Sequence, residues 1–459
     1  MELVGKKVLV CGLARSGRAA ALLLQERGAR VTVQDKKTAA ELTGLEELRA
    51  AGIALYLGKN PDEIVQSFDL LVLSPAIRLT LPFLEKARAL GIEAIGELEL
   101  AARLCPCPIA AVTGTNGKTT TTTLLGQMLG RQYPGAATVG NIGIPFCGEI
   151  DRLRAEDYVA AELSSQQLAE APTFHPHVAA VLNVTPDHLD WHGSMEAYVA
   201  AKAAIFQNQT AGDVCVLNYE DVYCREMAKN CPGRVFFFSS RRKLEQGIYL
   251  ENGEMVVDWG DFRGPVFALS DLHILGSHNH ENVMAAVAMA LCAGVSLPDI
   301  QTVLRDFWGV EHRIEFVANV DGVDYYDDSK GTNPDAALRA VLAMVRPTVL
   351  IGGGYDKKIS FKPWIAAFPG KVKALVLIGQ CADQIEQECR EEGFTALYRA
   401  ETFPEAVAKC RELAQSGDAV LLSPACASGG MFKNYEERGD QFKELVRDMK
   451  PRSGKEALC

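Results

Sequence analysis

Short apolar runs, each closed by a glycine-bearing or polar turn and followed by a stretch of helical spacing, recur along the chain. Runs this short suit buried strands better than helices, and their alternation with helical stretches predicts parallel α/β sheets. The first unit reads as a strand over residues 7–10, the turn Gly12-Leu-Ala-Arg-Ser-Gly17 and a helix over 18–27. A second strand covers 30–34 and ends at Asp35; another, over 70–73, runs into Ser74-Pro-Ala-Ile77. Residues 109–112 read as a buried strand and 121–129 as the helix beyond its loop. Strands follow over 158–161, 178–183, 214–217 and 235–238, with a closing helix over 280–293. The last part carries strands over 323–327, 348–351, 374–378 and 419–422.

Composition shifts near Gly96, ahead of Pro106 and Pro108, and again near residues 308–310. A chain of 459 residues is long enough for about three separate cores. These breaks therefore predict three α/β domains: Rossmann-like over 1–96, a central P-loop-type ATPase sheet over 97–308, and Rossmann-like again over 309–459. The net charge of -11 argues against general affinity for nucleic acid or an anionic membrane, while local basic loops remain free to hold small anions. No charged-then-apolar leader opens the chain and no apolar run reaches the roughly 18 residues of a membrane span, so a cytoplasmic protein is expected. Thirteen cysteines, an odd number without a repeated Cys-x-x-Cys framework, are expected to be reduced and mostly buried. The pair in Cys105-Pro-Cys107 lacks the second pair that a structural zinc needs.

The run Thr113-Gly-Thr-Asn-Gly-Lys-Thr-Thr120 carries the most specific chemistry. A strand, a glycine loop and a helix N-terminus together present backbone N–H groups to an anion. Gly114 and Gly117 let the backbone approach phosphate oxygens, Lys118 supplies a cation to the β/γ-phosphates, and the Thr119 hydroxyl is a Mg²⁺ ligand candidate. The strict P-loop pattern has glycine where Val112 stands.

Glu162 ends a strand and precedes Ser164 and Ser165, which suits either a metal carboxylate or a helix cap. The segment Asn183-Val-Thr-Pro-Asp-His-Leu-Asp-Trp-His192 concentrates two aspartates and two histidines after a strand. His188 is a candidate for a metal or phosphate; a zinc pair with His192 lacks the glutamate of the zincin pattern. Lys202 lies on an otherwise apolar helix. It either snorkels to solvent or, if buried, has a depressed pKa and can take up CO₂ as a carbamate. The Gly12–Gly17 turn resembles a dinucleotide fingerprint with Ala14 in place of the middle glycine, and is compatible with NAD, another diphosphate such as UDP, or plain helix packing. In the last domain, Asp327-Asp-Ser-Lys-Gly-Thr-Asn333, Gly352-Gly-Gly-Tyr-Asp-Lys-Lys358 and Ser423-Pro-Ala-Cys-Ala-Ser-Gly429 are polar strand-end loops that together suggest a composite site.

Over essentially its whole length the chain resembles the Mur ligases. The shared motifs are Gly114-Thr-Asn-Gly-Lys-Thr-Thr120, Glu162-Leu-Ser-Ser165, Asn183-Val-Thr-Pro-Asp-His188 and His278-Asn-His-Glu-Asn282. Asp328-Ser-Lys-Gly-Thr-Asn333, Leu422-Ser-Pro-Ala-Cys-Ala-Ser428 and Phe432-Lys-Asn-Tyr-Glu-Glu-Arg438 match the members that add D-glutamate. The resemblance implies an ATP-dependent ligase of peptidoglycan precursor synthesis, joining D-glutamate to UDP-N-acetylmuramoyl-L-alanine through an acyl phosphate. It implies ATP held by Gly114, Thr115, Asn116, Gly117, Lys118, Thr119 and Thr120, with Asn279 by the adenine and Arg313 and Asp328 at nucleotide phosphate and ribose. Two Mg²⁺ ions would be held by Thr119, Glu162, His188 and a carbamylated Lys202, with Asn141 beside the reacting groups. Arg15, Ser16, Asp35, Lys36 and the Ala76 backbone would meet the uridine diphosphate. Lys330, Thr332, Lys357, Ser428 and Tyr435 would complete the substrate pocket.

Ala76 and Gly331 stand where glycine and alanine are common in the family, and Tyr435 where phenylalanine is frequent. A monomer acting on small molecules, with no nucleic acid partner and no membrane insertion, is expected. Three other readings compete: another Mur-type or a folylpolyglutamate-type amide ligase, the latter without a uridine-binding domain; an NAD-dependent oxidoreductase using the first glycine turn; and a non-enzymatic nucleotide-binding module.

Overall fold

The computed structural model describes residues 1–141, 143–187, 189–355 and 360–450. His188 and Lys357, both expected in the site, lie outside the described residues. The chain divides into two compact units, Met1–Ser270 with His280–Leu304, and Asp271–Asn279 with the chain from Arg305 onward.

The first unit holds two sheets. Five parallel strands make the first, ordered Ala54–Leu57, Arg30–Asp35, Lys7–Cys11, Leu70–Leu73 and Glu93–Gly96. The helix after the first glycine turn starts at Arg15, three residues before its expected start, because the Arg18 amide already bonds back to the Ala14 carbonyl. The second sheet has nine strands. At its heart Ile109–Thr113 is flanked by Val178–Val181 and Val159–Glu162, all parallel and all buried. Such near-continuous apolar runs are what a strand covered on both faces requires. Buried side chains of both sheets, among them Val10, Leu98, Phe146, Ala161 and Val181, belong to one continuous apolar core.

The sheets depart from the parallel pattern at two edges. Gly247–Glu251, Glu254–Trp259 and Phe262–Ala268 pair antiparallel, the first two across Asn252 (φ 52°) and Gly253 (φ 80°). In the second unit Glu315–Val320 pairs antiparallel with Val323–Asp327 across Asp321 (φ 55°) and Gly322 (φ 80°). Asn-Gly and Asp-Gly are the residues that two-residue hairpins demand. The remaining order of the six-stranded sheet is Val323–Asp327, Ala419–Leu422, Thr348–Gly353, Val372–Ile378 and Leu397–Arg399, all parallel. Separate apolar clusters cover its two faces, one built around Trp364 and Leu350, the other around Phe442 and Val420.

Candidate active site

Strand Ile109–Thr113 delivers residues 114–117 at its C-terminal end, and helix Lys118–Gln132 starts directly behind them. Gly117 sits at φ 84°, and a Cβ there would collide with Asn282 Oδ1, so the position is closed to other residues. The loop is braced by Asn183. The Asn116 amide donates to Asn183 Oδ1 (2.8 Å), Asn183 Nδ2 donates to the Asn116 carbonyl (3.1 Å), and the Thr115 amide donates to the Asn183 carbonyl (2.9 Å). These bonds turn residue 183 toward the loop, which is why strand Val178–Val181 ends two residues before its expected end.

Thr115 Oγ1 accepts from the Thr185 amide (3.0 Å) and lies 3.0 Å from the Tyr198 hydroxyl. Lys118 Nζ donates to the Gly114 carbonyl (2.9 Å) and the Thr115 carbonyl (3.1 Å), which holds the ammonium over the loop. Thr119 and Thr120 are buried in the first helical turn. First-turn amides that lack an intrahelical acceptor are anion donors.

Glu162 is the last residue of its strand and is buried. The cap of helix Ser165–Ala169 is made by Ser164 with Gln167, not by Glu162, so that alternative for the carboxylate falls away. Asn141 is tied to Glu162 twice, by its amide to the Glu162 carbonyl (2.8 Å) and by Nδ2 to Oε1 (3.4 Å). His192 Nε2 lies 2.8 Å from Ser165 Oγ, a neighbour that the zinc reading of this segment did not anticipate.

A polar cavity of about 380 Å³ opens beside the loop, lined in part by Ala76, Lys118, Asn141, Asp187, Tyr198 and Lys202. Lys202 does not snorkel: it is 2% exposed, with its ammonium 4.6 Å from the Tyr198 ring centre. Burial holds this amine well below the ordinary lysine range, and the charge of Lys118 pushes the same way against Asp187 and Cys224. The neutral form of an amine, which burial favours, is the form that reacts with CO₂.

The residues expected at a uridine diphosphate are split between two recesses. Asp35, Lys36 and Ala76 line one of about 200 Å³ with Gly12. Asp35 also fixes the glycine turn, taking the Leu13 amide on Oδ2 (2.7 Å) and the Lys37 amide on Oδ1 (2.9 Å). Arg15 lines a larger recess of about 720 Å³, and its guanidinium reaches the Gly143 carbonyl at 3.4 Å; Ser16, the next residue, is half-buried.

In the second unit, Asp328 accepts from Ser423 Oγ (2.6 Å). Burial pushes its carboxyl up to about 7, against the Ser423 hydrogen bond and the positive charge of Arg313. Asn279 Nδ2 donates to the Leu275 carbonyl (2.6 Å). Arg438, almost fully buried, ties two loops to its own helix: Nε donates to Ser329 Oγ (2.9 Å), Nη2 to the Ser329 carbonyl (2.7 Å) and Nη1 to the Cys426 carbonyl (3.2 Å). Ser329 Oγ donates on to the Tyr435 carbonyl (2.8 Å), and Lys330 Nζ lies 5.2 Å from the Tyr435 ring centre. The Thr332 amide bonds the Lys330 carbonyl and the Ser428 carbonyl accepts from Phe432. The described cysteines are all free thiols, and Cys105 and Cys107 stand with sulfurs 3.6 Å apart.

Three family models cover most of the chain. They are the Mur ligase MurD-like N-terminal domain over residues 6–96, the Mur ligase middle domain over 112–290, and the Mur ligase glutamate ligase domain over 312–426. The chain belongs to the Mur ligase family. Among its relatives, the UDP-N-acetylmuramoylalanine--D-glutamate ligase of Pelotomaculum thermopropionicum is 46% identical, the match covering 97% of this chain and 98% of that one. The enzyme of the same name from Lachnoclostridium phytofermentans is 44% identical over 98% of this chain and 100% of its own. Among solved structures, the UDP-N-acetylmuramate-alanine ligase of Thermotoga maritima superposes with a TM-score of 0.61 at 20% identity, covering 96% of this Mur ligase and 99% of that chain, a likeness of fold.

A Mur ligase is an ATP-dependent ligase, and its reaction needs an element to hold the nucleotide phosphates. The N-terminal match removes the folylpolyglutamate-type reading, and membership of a ligase family removes the oxidoreductase. No helix among the described residues is long and apolar enough to cross a membrane.

Proposed function

We propose that this Mur ligase joins D-glutamate to UDP-N-acetylmuramoyl-L-alanine in the cytoplasm, as a monomer, at the expense of ATP. Residues 1–96 would bind the UDP-linked substrate, 97–308 the nucleotide and 309–459 the amino acid. The observation that carries this reading is the phosphate loop held open by Asn183 beside a cavity that also receives Lys118, Asn141 and the buried amine of Lys202. The near-full-length identity to enzymes named for D-glutamate addition supports the choice of amino acid.

The alanine carboxylate of the substrate attacks the γ-phosphate, the bond to the β–γ bridging oxygen breaks and ADP leaves, giving an acyl phosphate. The amine of D-glutamate then attacks the acyl carbon, a base takes its proton and phosphate leaves. Lys118 and the first-turn amides offset charge on the transferring phosphoryl group. Asn141, tied to Glu162, presents its amide at the cavity. Thr119 and Glu162, together with His188 and a carbamylated Lys202, would hold Mg²⁺, a cation that prefers oxygen ligands. The burial of the Lys202 amine fits that conversion, because the charged ammonium is disfavoured there and the neutral amine can take up CO₂. When bound, Mg²⁺ supplies further charge stabilisation to the phosphoryl oxygens. His188 is a candidate base for the amine proton only while its ring nitrogen is not holding Mg²⁺.

Phosphate release from purified protein with ATP, Mg²⁺ and UDP-N-acetylmuramoyl-L-alanine tests the proposal, with D-glutamate compared against L-glutamate, meso-diaminopimelate and no amino acid. Release that requires D-glutamate is expected. Release driven by another amino acid overturns the assignment of substrate, and none with any of them overturns the reaction.

A further inference from the structure

In the second unit a short strap, 311–315, carries two residues in the left-handed region, His312 at φ 62° and Ile314 at φ 47°. A β-branched residue there is a genuine outlier, and such backbone persists only where surrounding contacts over-determine it. The contacts converge on His312. The residue is 4% exposed, and Nδ1 meets Asp327 Oδ2 at 2.7 Å. Its backbone amide donates to Glu315 Oε2 (2.9 Å), and its carbonyl accepts from the Lys330 amide (3.1 Å). Asp327 uses its other oxygen to take the Ser329 amide (2.9 Å), so one carboxylate holds both the strap and the 327–330 turn. Gly439 leaves the room for this pair; a Cβ there would collide with His312 Nδ1.

We propose that His312, clamped to Asp327, is a positioning residue for the amino-acid substrate. This rests on the function proposed above. The clamp fixes the turn bearing Lys330 and, through Ser329 and Arg438, sets the Cys426 carbonyl and the start of helix Tyr435–Arg447. Those three segments carry Lys330, Ser428 and Tyr435, the residues expected around the amino acid, so the clamp bears on the spacing between them. Neither His312 nor Asp327 touches the reacting groups in this scheme.

The other charges facing the imidazole are Asp440, 3.8 Å from Nε2, and the Lys443 cluster with Glu311 and Glu315. Burial lowers the imidazole pKa, but the hydrogen bond and charge of Asp327 outweigh it and hold the ring above its ordinary value. The charge-assisted form of the clamp is therefore complete at low pH and is lost as pH rises through that raised value.

Steady-state kinetics on the full chain test the proposal. His312→Leu and Asp327→Asn are expected to raise KM for D-glutamate about tenfold or more, with kcat and KM for the UDP-linked substrate little changed. His312→Asn keeps a donor near the Nδ1 position and tolerates left-handed backbone, so it should restore most of the affinity. The wild-type KM for D-glutamate should climb with pH relative to His312→Asn, whose amide does not titrate.

An unchanged D-glutamate KM in the leucine and Asp327→Asn variants overturns the proposal, as do failure of His312→Asn to rescue and identical pH profiles. If His312→Leu does not fold, Asp327→Asn decides alone. A wild type that releases no phosphate with D-glutamate overturns the underlying function and the clamp's role with it; a wild type that turns over normally beside indifferent variants overturns the clamp only.

Discussion

Glu170 follows helix Ser165–Ala169 with 3% of its surface exposed, and neither carboxylate oxygen has a hydrogen-bond partner among the described residues. Burial pushes its pKa from 4.5 to about 9. An acid with a raised folded-state pKa keeps its proton in the native chain after the unfolded chain has lost it, so stability falls as pH climbs from 4.5 toward 9. Each pH unit in that window costs about 1.4 kcal/mol, giving a penalty of about 2 kcal/mol at pH 6 and about 5 kcal/mol at pH 8. Methionine has similar length, adapts to irregular space and does not titrate. Glu170→Met should therefore stabilise the first unit at pH 8 by about 3 kcal/mol more than it does at pH 6. Urea unfolding followed by tryptophan fluorescence reads this directly, because Trp191 and Trp259 both belong to that unit. Two stability curves that run parallel from pH 6 to pH 8 would refute the assignment of this slope to Glu170.

Lys202→Ala should be inactive, and a short-chain carboxylic acid should restore part of the turnover by standing in for the carbamate; full activity without the acid removes the carbamate from the scheme. Asn183→Ala deletes two of the three bonds that brace the phosphate loop. It should raise KM for ATP by about tenfold, as measured by phosphate release at saturating amino acid, because the nucleotide must then order the loop itself; an unchanged KM shows that the loop holds its shape without the clasp.

Much of this molecule was legible in the sequence, and the unread parts have physical reasons. Strands such as Leu70–Leu73, Val323–Asp327 and Ala419–Leu422 fall where apolar runs between turns place them. The phosphate loop was legible because its glycines, lysine and threonines are contiguous. The antiparallel additions went unread although Asn252-Gly253 and Asp321-Gly322 are direct hairpin signals between apolar runs. Tyr198 also had a local signal, since it lies one helical turn before Lys202 and so shares its face. Asn183 sat inside a motif read for its histidines and aspartates, while its own work is on a loop 67 residues away. Asp327 and Arg438 sat inside segments already singled out, but nothing local gave their partners, and nothing local distinguishes His312 from a surface polar residue. Their burial is decided by pairings over 15 and 109 residues, which periodicity cannot report.

The apolar core shared by the first two sheets has a consequence for anyone recombining these enzymes. Three domains in the sequence suggest three exchangeable cassettes, yet the seam after the first sheet is stitched by Glu97, whose carboxylate takes the Cys147 amide at 2.6 Å, and by a common interior. A hybrid that imports the first sheet from a cousin with another donor sugar would bring an unmatched half of that interior. Crossovers should instead fall at the break between the two compact units, leaving substrate-carrier and nucleotide modules to travel as one inherited piece.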